Sequence, residues 1–494
     1  MPPGASDVVW RGAGGRTEQK GGAMADQLDS LTVIFTEVYY WITVVIMFLI
    51  HVGFCMYEVG ASRKKNMMHT LMKNTMVIPL VTVTFFYFGW WIYFGWTNGP
   101  FITGGVNDAP WATPWSELMG THMGGQPLSS DLTADDTMGW ARINGVFWAA
   151  FLLFSWTAAS IVSGAVIERI QNFAFWLLAV VIGSFTWIID AAWGWSPDGW
   201  MVQLLGYHDA YASGVIHAIA GGFALGVLVH LGPRIGKFRA DGTPRNIVPH
   251  NPWLVTIGLF LIYTGFWGFY VACNIPIFDI GEAAGMEGSF FSTTNIYLAP
   301  TSTSAITFNF LMSLSGGLMT GYIISKGDAF WTYSSGLAGI IAASSGNDLY
   351  HPIQAMVIAG LGVIFMYKMH FWVERRFKID DAVGAVAVYG YAGWFGVFIC
   401  GIVLWGYPAS MNPDYAHISP WGQFIGAWIM FGLLGFLPPA WIVAGILKSM
   451  GKLRIPERVE VAGLDLSEYH GRYLDEADVF EAEAEEARRR GLIN

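Results

Sequence analysis

Residues 209–221 read Asp209-Ala-Tyr-Ala-Ser-Gly-Val-Ile-His217-Ala-Ile-Ala-Gly221, and residues 381–393 read Asp381-Ala-Val-Gly-Ala-Val-Ala-Val-Tyr389-Gly-Tyr-Ala-Gly393. Both follow one pattern: Asp, seven residues, His or Tyr, two residues, Ala-Gly. Alone the pattern is weak, because small residues abound here. Its weight comes from the apolar runs that each copy opens, and from the direction in which those runs point.

Of the 494 residues, 54% are hydrophobic and 13% are charged, whereas a soluble domain carries about a quarter charged residues. A membrane span needs about 20 mostly apolar residues. Runs of that kind lie near 34–57, 72–96, 140–163, 172–194, 209–231, 253–274, 304–325, 328–346, 353–371, 382–405 and 420–447. The chain thus reads as an all-α membrane protein with eleven transmembrane helices. Basic residues in short loops mark the inner face. Arg63, Lys64, Lys65 and Lys73 follow span 1, Arg169 follows span 3, and Arg234, Lys237, Arg239 and Arg245 follow span 5. Lys326, then Arg375, Arg376 and Lys378, and finally Lys448, Lys452, Arg454 and Arg458 follow spans 7, 9 and 11. The alternate loops, 97–139, 196–208, 275–303, 347–352 and 406–419, hold no Lys or Arg. That alternation places the N-terminus outside and the C-terminus inside. Residues 1–33 read as a flexible leader without the apolar core of a secretory signal. Arg11, Arg16 and Lys20 sit awkwardly in an outside leader, and a start at Met24 would remove them. Residues 34–448 form the membrane domain and 449–494 a cytoplasmic tail.

Span 5 then starts outside and span 10 inside. The two copies of the pattern run antiparallel, as in an inverted repeat of spans 1–5 and 6–10, and such folds place the substrate near the midplane. Eight helical residues rise about 12 Å in a core about 30 Å thick, so His217 and Tyr389 reach the middle from opposite sides. Two polar rings meeting there suggest a pathway lining. The plainer alternative is a buried histidine satisfied by a neighbouring helix, although intramembrane ionisable groups are functional by default. Asp209 and Asp381 stand at helix starts, where a carboxylate caps free N–H groups. A net charge of -10 leaves no basic face for nucleic acid. Cys55, Cys273 and Cys400 fit neither a disulfide framework nor a zinc site. There is no nucleophile–base pattern, phosphate loop or metal cluster, so the reading is no enzyme, no cofactor and no metal.

Several segments together resemble the ammonium transporter (Amt/Mep/Rh) family. VIHAIAGG in span 5 looks like its first pore-histidine segment, with Asp209 eight residues earlier. Glu168-Arg169 after SGAV resembles the G-A-x-x-E-R signature closing span 3. GFWGFY at 265–270 resembles G-W-F-G-F-N, and Glu58-VGASRKKN resembles Y-G-G-x-x-R-x-K-N. The tail GLDLSEYH at 463–470 resembles G-L-D-x-S-E-H, so the likeness runs from about residue 34 to about 473. It implies a homotrimer in the cell membrane (inner or plasma) with one pore per subunit, passing ammonium or ammonia. It also implies a PII-type regulatory protein at the cytoplasmic face. By the same likeness Phe154 and Phe269 match a phenylalanine gate, Trp195 an aromatic vestibule, Asp209 a structural carboxylate and His217 the first pore histidine. An aromatic face repays part of a cation's lost hydration, and an imidazole offers a dry amine a hydrogen-bond partner.

The chain departs from this pattern at the presumed route. Tyr389 takes the place of the second pore histidine, and Gly384 that of a second Asp. Cys273 replaces a vestibule Ser, Tyr270 an Asn beside the gate, and Trp156 adds bulk near Phe154. A phenol titrates near pH 10 and an imidazole near 6.5, so Tyr389 relays protons poorly at neutral pH. Extra aromatic groups suit a larger, softer cation. Methylated amines, a neutral gas, or an ammonium-sensing receptor without conduction stand as alternatives to ammonium transport. Asp190, five residues before Trp195, either attracts a cation entering the vestibule or hydrogen-bonds a neighbouring helix end. Residues 474–490, acidic early and Arg-rich late, read as a solvated helix.

Overall fold

The computed structural model describes residues 19–98, 136–277, 292–297, 299–469, 485–486 and 488–489. Besides a short helix at Trp200–Leu205, its helices are α1 (Gln19–Ala61), α2 (Lys64–Gly95), α3 (Asp136–Ala165), α4 (Asn172–Gly194), α5 (Ser213–Leu231) and α6 (Pro252–Ala272). They continue with α7 (Thr303–Ser325), α8 (Ala329–Ser344), α9 (Pro352–Phe377), α10 (Val386–Val403) and α11 (Pro420–Ser449). The tail adds α12 (Glu457–Ala462) and α13 (Leu464–Tyr469). Among the described residues nine of these, all but α7 and α8 of the first eleven, are long and apolar enough to cross a membrane. Helix α8 has only 16 residues, and α7 interleaves its apolar residues with Ser, Thr and Gly.

Local chemistry sets the boundaries. Asn251 accepts from the amides of Trp253 and Leu254 and is followed by Pro252, which suits a first helical turn. Ser302, Asp328 and Ser419 cap α7, α8 and α11 in the same way. At the other ends, Lys326 and Lys378 take left-handed conformations that stop α7 and α9. Between α6 and α7 lie three short antiparallel strands in order β1 (Ile275–Ile277), β2 (Ser292–Thr294) and β3 (Pro300–Thr301), an addition to the all-α expectation.

Packing is closest where glycines let backbones meet. In α1, a Cβ on Gly53 would stand 2.6 Å from the Gly258 carbonyl oxygen of α6. Where α5 crosses α10, a Cβ on Gly221 would stand 2.2 Å from the Gly390 Cα. Small residues at such crossings are how helices associate in lipid, where no hydrophobic force separates protein from solvent.

Several sequence expectations meet the structure here. Helix α1 begins at Gln19, inside the stretch read as a leader, and Met24 lies within it; residues 1–18 are outside the described region. Most of the acidic loop 97–139, and most of the acidic helix expected over 474–490, also lie outside it. Lys73, counted among the loop charges, is a correction. It sits within α2 and is fully buried.

Several of the other basic residues meet at the end of the bundle where α1, α3, α5 and α9 stop. Glu168, in a left-handed conformation (φ 71), accepts from the backbone N–H of Arg63, from its Nε at 2.9 Å and from Arg234 Nη1 at 3.4 Å. Arg234 donates to Asp380 through Nε at 2.9 Å and Nη2 at 3.0 Å, and Arg169 donates to the carbonyl of Gly232 at 2.8 Å. Burial alone would raise the Asp380 carboxyl, but Arg234 and Arg169 outweigh it and hold it well below the usual range. The same contest, won by Arg234 and Arg63, holds Glu168 low. The tail docks on this end of its own chain. Asp465 accepts from the amides of Met68 and His69 at 3.0 and 2.9 Å, Glu468 meets His69 at 2.9 Å, and Glu460 binds Arg454 at 2.7 Å.

Candidate functional site

The two copies of the sequence pattern adopt the same local backbone. Three residues after each Asp stands a left-handed residue, Ala212 (φ 68) and Gly384 (φ 70). Each is followed by a turn of π-helix, Ser213–Ala218 and Val386–Tyr391. Such widened turns are concentrated at functional positions. Ala212 pays a steric cost of about 1–2 kcal/mol for that conformation. In return its carbonyl meets the His217 ring, which donates to it through Nδ1. A carbonyl can only accept, so Nδ1 carries the hydrogen, and in the neutral ring Nε2 is the acceptor. Nε2 is buried and has no partner among the described residues.

Asp209 is a complete cap. Its Oδ1 accepts from the Ser213 amide at 2.7 Å and from Ser345 Oγ at 2.8 Å. Its Oδ2 accepts from the amides of Gly214 and Val215 at 2.8 and 3.0 Å and from the Tyr207 hydroxyl at 3.2 Å. The Ser-Ser-Gly-Asn-Asp end of α8 braces this turn further, because Asp348 holds His208 at 3.0 Å. Asp381 does less: its Oδ2 accepts from the Ala387 amide at 3.3 Å, and its Oδ1 has no partner among the described residues.

From these turns a file of buried rings can be followed. Trp195 packs on Phe154 with centroids 5.2 Å apart, and its indole N–H donates to the Asp209 carbonyl at 2.7 Å. Phe154 meets Phe269 edge to face at 4.6 Å. His217 lies 5.6 Å from Phe269 and 5.3 Å from Phe266, and stacks on Tyr389 at 6.0 Å with 13° between the planes. Tyr389 in turn lies 5.9 Å from Phe54 of α1. The Tyr389 hydroxyl, like His217 Nε2, is buried without a partner among the described residues. The arrangement is a closed aromatic constriction followed by two polar atoms that have unused hydrogen-bonding capacity.

A model of the Ammonium Transporter Family matches residues 38–473. Ammonium transporter Amt2 of Methanocaldococcus jannaschii is 31% identical over 431 residues, covering 86% of this chain and 88% of that protein. The chain belongs to the ammonium transporter family. With nine long apolar helices among its described residues, this family member is a multi-pass membrane protein. Among solved structures it shares its fold with a "Sensor Amt Protein" (TM-score 0.69, 22% identity, 89% of this chain and 99% of that one). It shares it also with Mep2 from Candida albicans (TM-score 0.63, 17% identity, 86% of each chain).

The remaining residues singled out in the sequence of this family member divide clearly. Cys273 is buried and unpaired, and it ends α6 by donating its amide to the carbonyls of Phe269 and Tyr270 at 3.2 Å. Asp190 is fully buried, and neither carboxylate oxygen has a partner among the described residues. Tyr270 and Trp156, expected at the route, lie off the file. Tyr270 stacks on Tyr211 at 4.3 Å, its hydroxyl engaged by Ser344 at 2.6 Å and Asn347 at 3.0 Å. Trp156 packs on Phe48 and His51 at 5.5 and 5.7 Å. Sequence reasoning missed Phe54 and Phe266. Phe266 stands three residues before Phe269, one helical turn away, so spacing alone could have found it.

Proposed function

We propose that this chain carries ammonium, as ammonia or a small amine, through a pore that follows the ring file in each subunit. The observation that carries the reading is the Nε2 of His217 and the hydroxyl of Tyr389, both without a partner among the described residues, on two stacked rings next to the Phe154–Phe269 pair. A bilayer core leaves no water to satisfy such atoms, so unused acceptors there are costly. An N–H donor passing along the file satisfies them in turn. The names of the curated relatives support ammonium as the cargo.

The architecture proposed with it has eleven spans, α7 and α8 included, with the N-terminus outside and the basic end of the bundle inside. Spans 1–5 and 6–10 form an inverted repeat. The shared left-handed residue and π-turn after Asp209 and Asp381 support this, as do the close α1–α6 and α5–α10 crossings. Trp195 and Asp190, whose carboxyl group has no partner among the described residues, attract the cation at the outer entrance, and Cys273 lines that entrance without a hydroxyl to recruit it. The chain works as a homotrimer in the cell membrane, with residues 449–494 as its cytoplasmic tail. A PII-type protein docks at that inner face, where the tail lies against the α1–α2 turn.

Reconstitution in liposomes tests the reading, with currents or internal pH recorded on pulses of ammonium, methylamine and trimethylamine. The expected result is a response to ammonium that disappears in His217→Ala. Responses to the methylated amines alone would move the cargo to that class. Silence combined with tight ammonium binding would replace transport by a sensing role.

A further inference from the structure

Among the described residues, an ion pair that the ring file does not use joins two of the long apolar helices. Glu58 of α1 and Lys73 of α2 are both fully buried, with Lys73 Nζ 3.4 Å from Glu58 Oε2. Lys73 also donates to the Ser163 carbonyl at 2.8 Å and lies 5.0 Å from the centre of the Phe175 ring. The two oxygens of Glu58 are treated very unequally. Oε2 accepts from Ser163 Oγ at 2.6 Å and Asn74 Nδ2 at 2.9 Å as well as facing Lys73. Oε1 is buried and has no partner among the described residues. A carboxylate oxygen has room for two hydrogen bonds, so one side of this group is clamped and the other is left available.

The position of Oε1 relates it to the file. Phe54, which packs on Tyr389, and Glu58 are four residues apart on α1 and share a face. One helical turn, about 5.4 Å, therefore carries the line on from Phe54, which packs on Tyr389, to Glu58, toward the end of α1 nearest Arg63. The neighbouring Tyr57 donates its hydroxyl to the Val383 carbonyl at 3.0 Å, at the start of the segment that bears Tyr389. Gly164 lets Val383 pack close beside this oxygen: a Cβ on Gly164 would lie 2.6 Å from Val383 Cγ2 and 3.6 Å from Glu58 Oε1.

We propose that Glu58 is a third polar station of the route, after His217 and Tyr389, and that its Oε1 accepts an N–H from a small amine leaving toward the inner face. This rests on the transport reading given above. Lys73 makes the station net neutral. A lone carboxylate would trap a cation, whereas the pair offers a strong acceptor to a neutral N–H donor and holds no excess charge. The ligand class is accordingly ammonia or an amine with at least one N–H.

Liposome flux of ammonium separates this from a purely structural ion pair. Three variants are compared with the wild type, each checked for elution and thermal midpoint in detergent. Glu58→Leu with Lys73→Met removes both charges and, with them, the acceptor. Glu58→Lys with Lys73→Glu keeps an ion pair but puts a donor-only group at position 58. Glu58→Asp keeps the charge and draws the acceptor back by one methylene. The expected result is a flux loss of about tenfold or more in the first two, the worth of one hydrogen bond to a charged group. That loss appears even where the swapped pair restores the wild-type midpoint. Glu58→Asp loses flux about fivefold or more, and serves alone if the other two do not fold. Flux within about twofold of wild type in a folded neutral pair overturns the proposal, as does full recovery in the swapped pair. If the other two do not fold, the same result in Glu58→Asp overturns it. A silent wild-type protein would instead overturn the transport reading itself, so the two failures are distinguishable.

Discussion

Replacing Gly221 with Ala probes whether the α5–α10 crossing holds the rings in register. A Cβ at this position would lie 2.2 Å from the Gly390 Cα and 2.4 Å from its amide nitrogen, where ordinary contact begins at 3.4 Å. Both obstacles are backbone, so no side chain can turn aside, and the helices must part by about 1.2 Å. Overpacking of this kind costs about 1–3 kcal/mol, and with rigid backbone on both sides the upper half of that range applies. Alanine also gains about 1 kcal/mol over glycine inside a helix. The clash wins, leaving a net loss of about 1–2 kcal/mol. Gly445→Ala is the control. Its Cβ would meet only the His230 ring at 3.6 and 3.7 Å, so the helix gain stands alone. His217 is four residues before Gly221, and Tyr389 adjoins Gly390, so parting the helices also spoils the 6.0 Å stack. The thermal midpoint in detergent and the ammonium flux in liposomes are both expected to fall for Gly221→Ala and to hold for Gly445→Ala. Equal midpoints and equal fluxes in the two variants would refute the crossing as the element that positions the rings.

Asp209→Ala strips an acceptor from three buried amides and two hydroxyls and is expected to lower the midpoint far more than Asp381→Ala, whose single cap bond at 3.3 Å places its loss at about 0.5–2 kcal/mol; a heat-stability comparison of the two decides it. Tyr270→Phe removes a hydroxyl bonded to Ser344 and Asn347 and should cost about 1–3 kcal/mol. Because that residue lies off the file, the ratio of ammonium to methylamine flux should stay unchanged. The Glu168–Arg234–Asp380 network gives a pH dependence of definite sign. Both carboxyls are held below their ordinary values, so their contribution is complete above about pH 4 and is lost as pH falls through the lowered folded values. Midpoints recorded from pH 7 down to about 3 should be flat and then drop, and Asp380→Asn should start lower and show a shallower drop.

Much of this molecule could be read from the chain because its signals are local. Apolar runs and the Asp209 cap each depend on residues within a turn or two of one another. Azimuth around a helix is different. Trp156 stands two residues after Phe154, yet it faces Phe48 and His51 while Phe154 faces Phe269, because successive helical positions turn through about 100°. Tyr270 leaves the file for the same reason, one residue past Phe269. Lys73 was misplaced by its neighbours in sequence. Arg63, Lys64 and Lys65 stand beside it in the chain, but α2 already begins at Lys64, and nine further residues turn Lys73 into the bundle.

Buried polar groups in this fold fall into two kinds, and the distinction carries the functional argument further than burial does. Asp209, Arg169, Arg234 and Asp380 have their capacity filled by amides, hydroxyls and opposite charges. Such groups tie segments together, and removing one leaves its partners stranded. His217 and Glu58 each have one atom held firmly and the other left open. The held atom fixes which way the open one points, and for His217 it also fixes the tautomer. Asp381 and His51 show the same pattern, one atom bonded and one without a partner among the described residues, so it is position beside the ring file that sets His217 and Glu58 apart. With Tyr389 between them, these atoms sit along one chain of rings, and the proposed route would supply each with a small molecule that brings its own N–H.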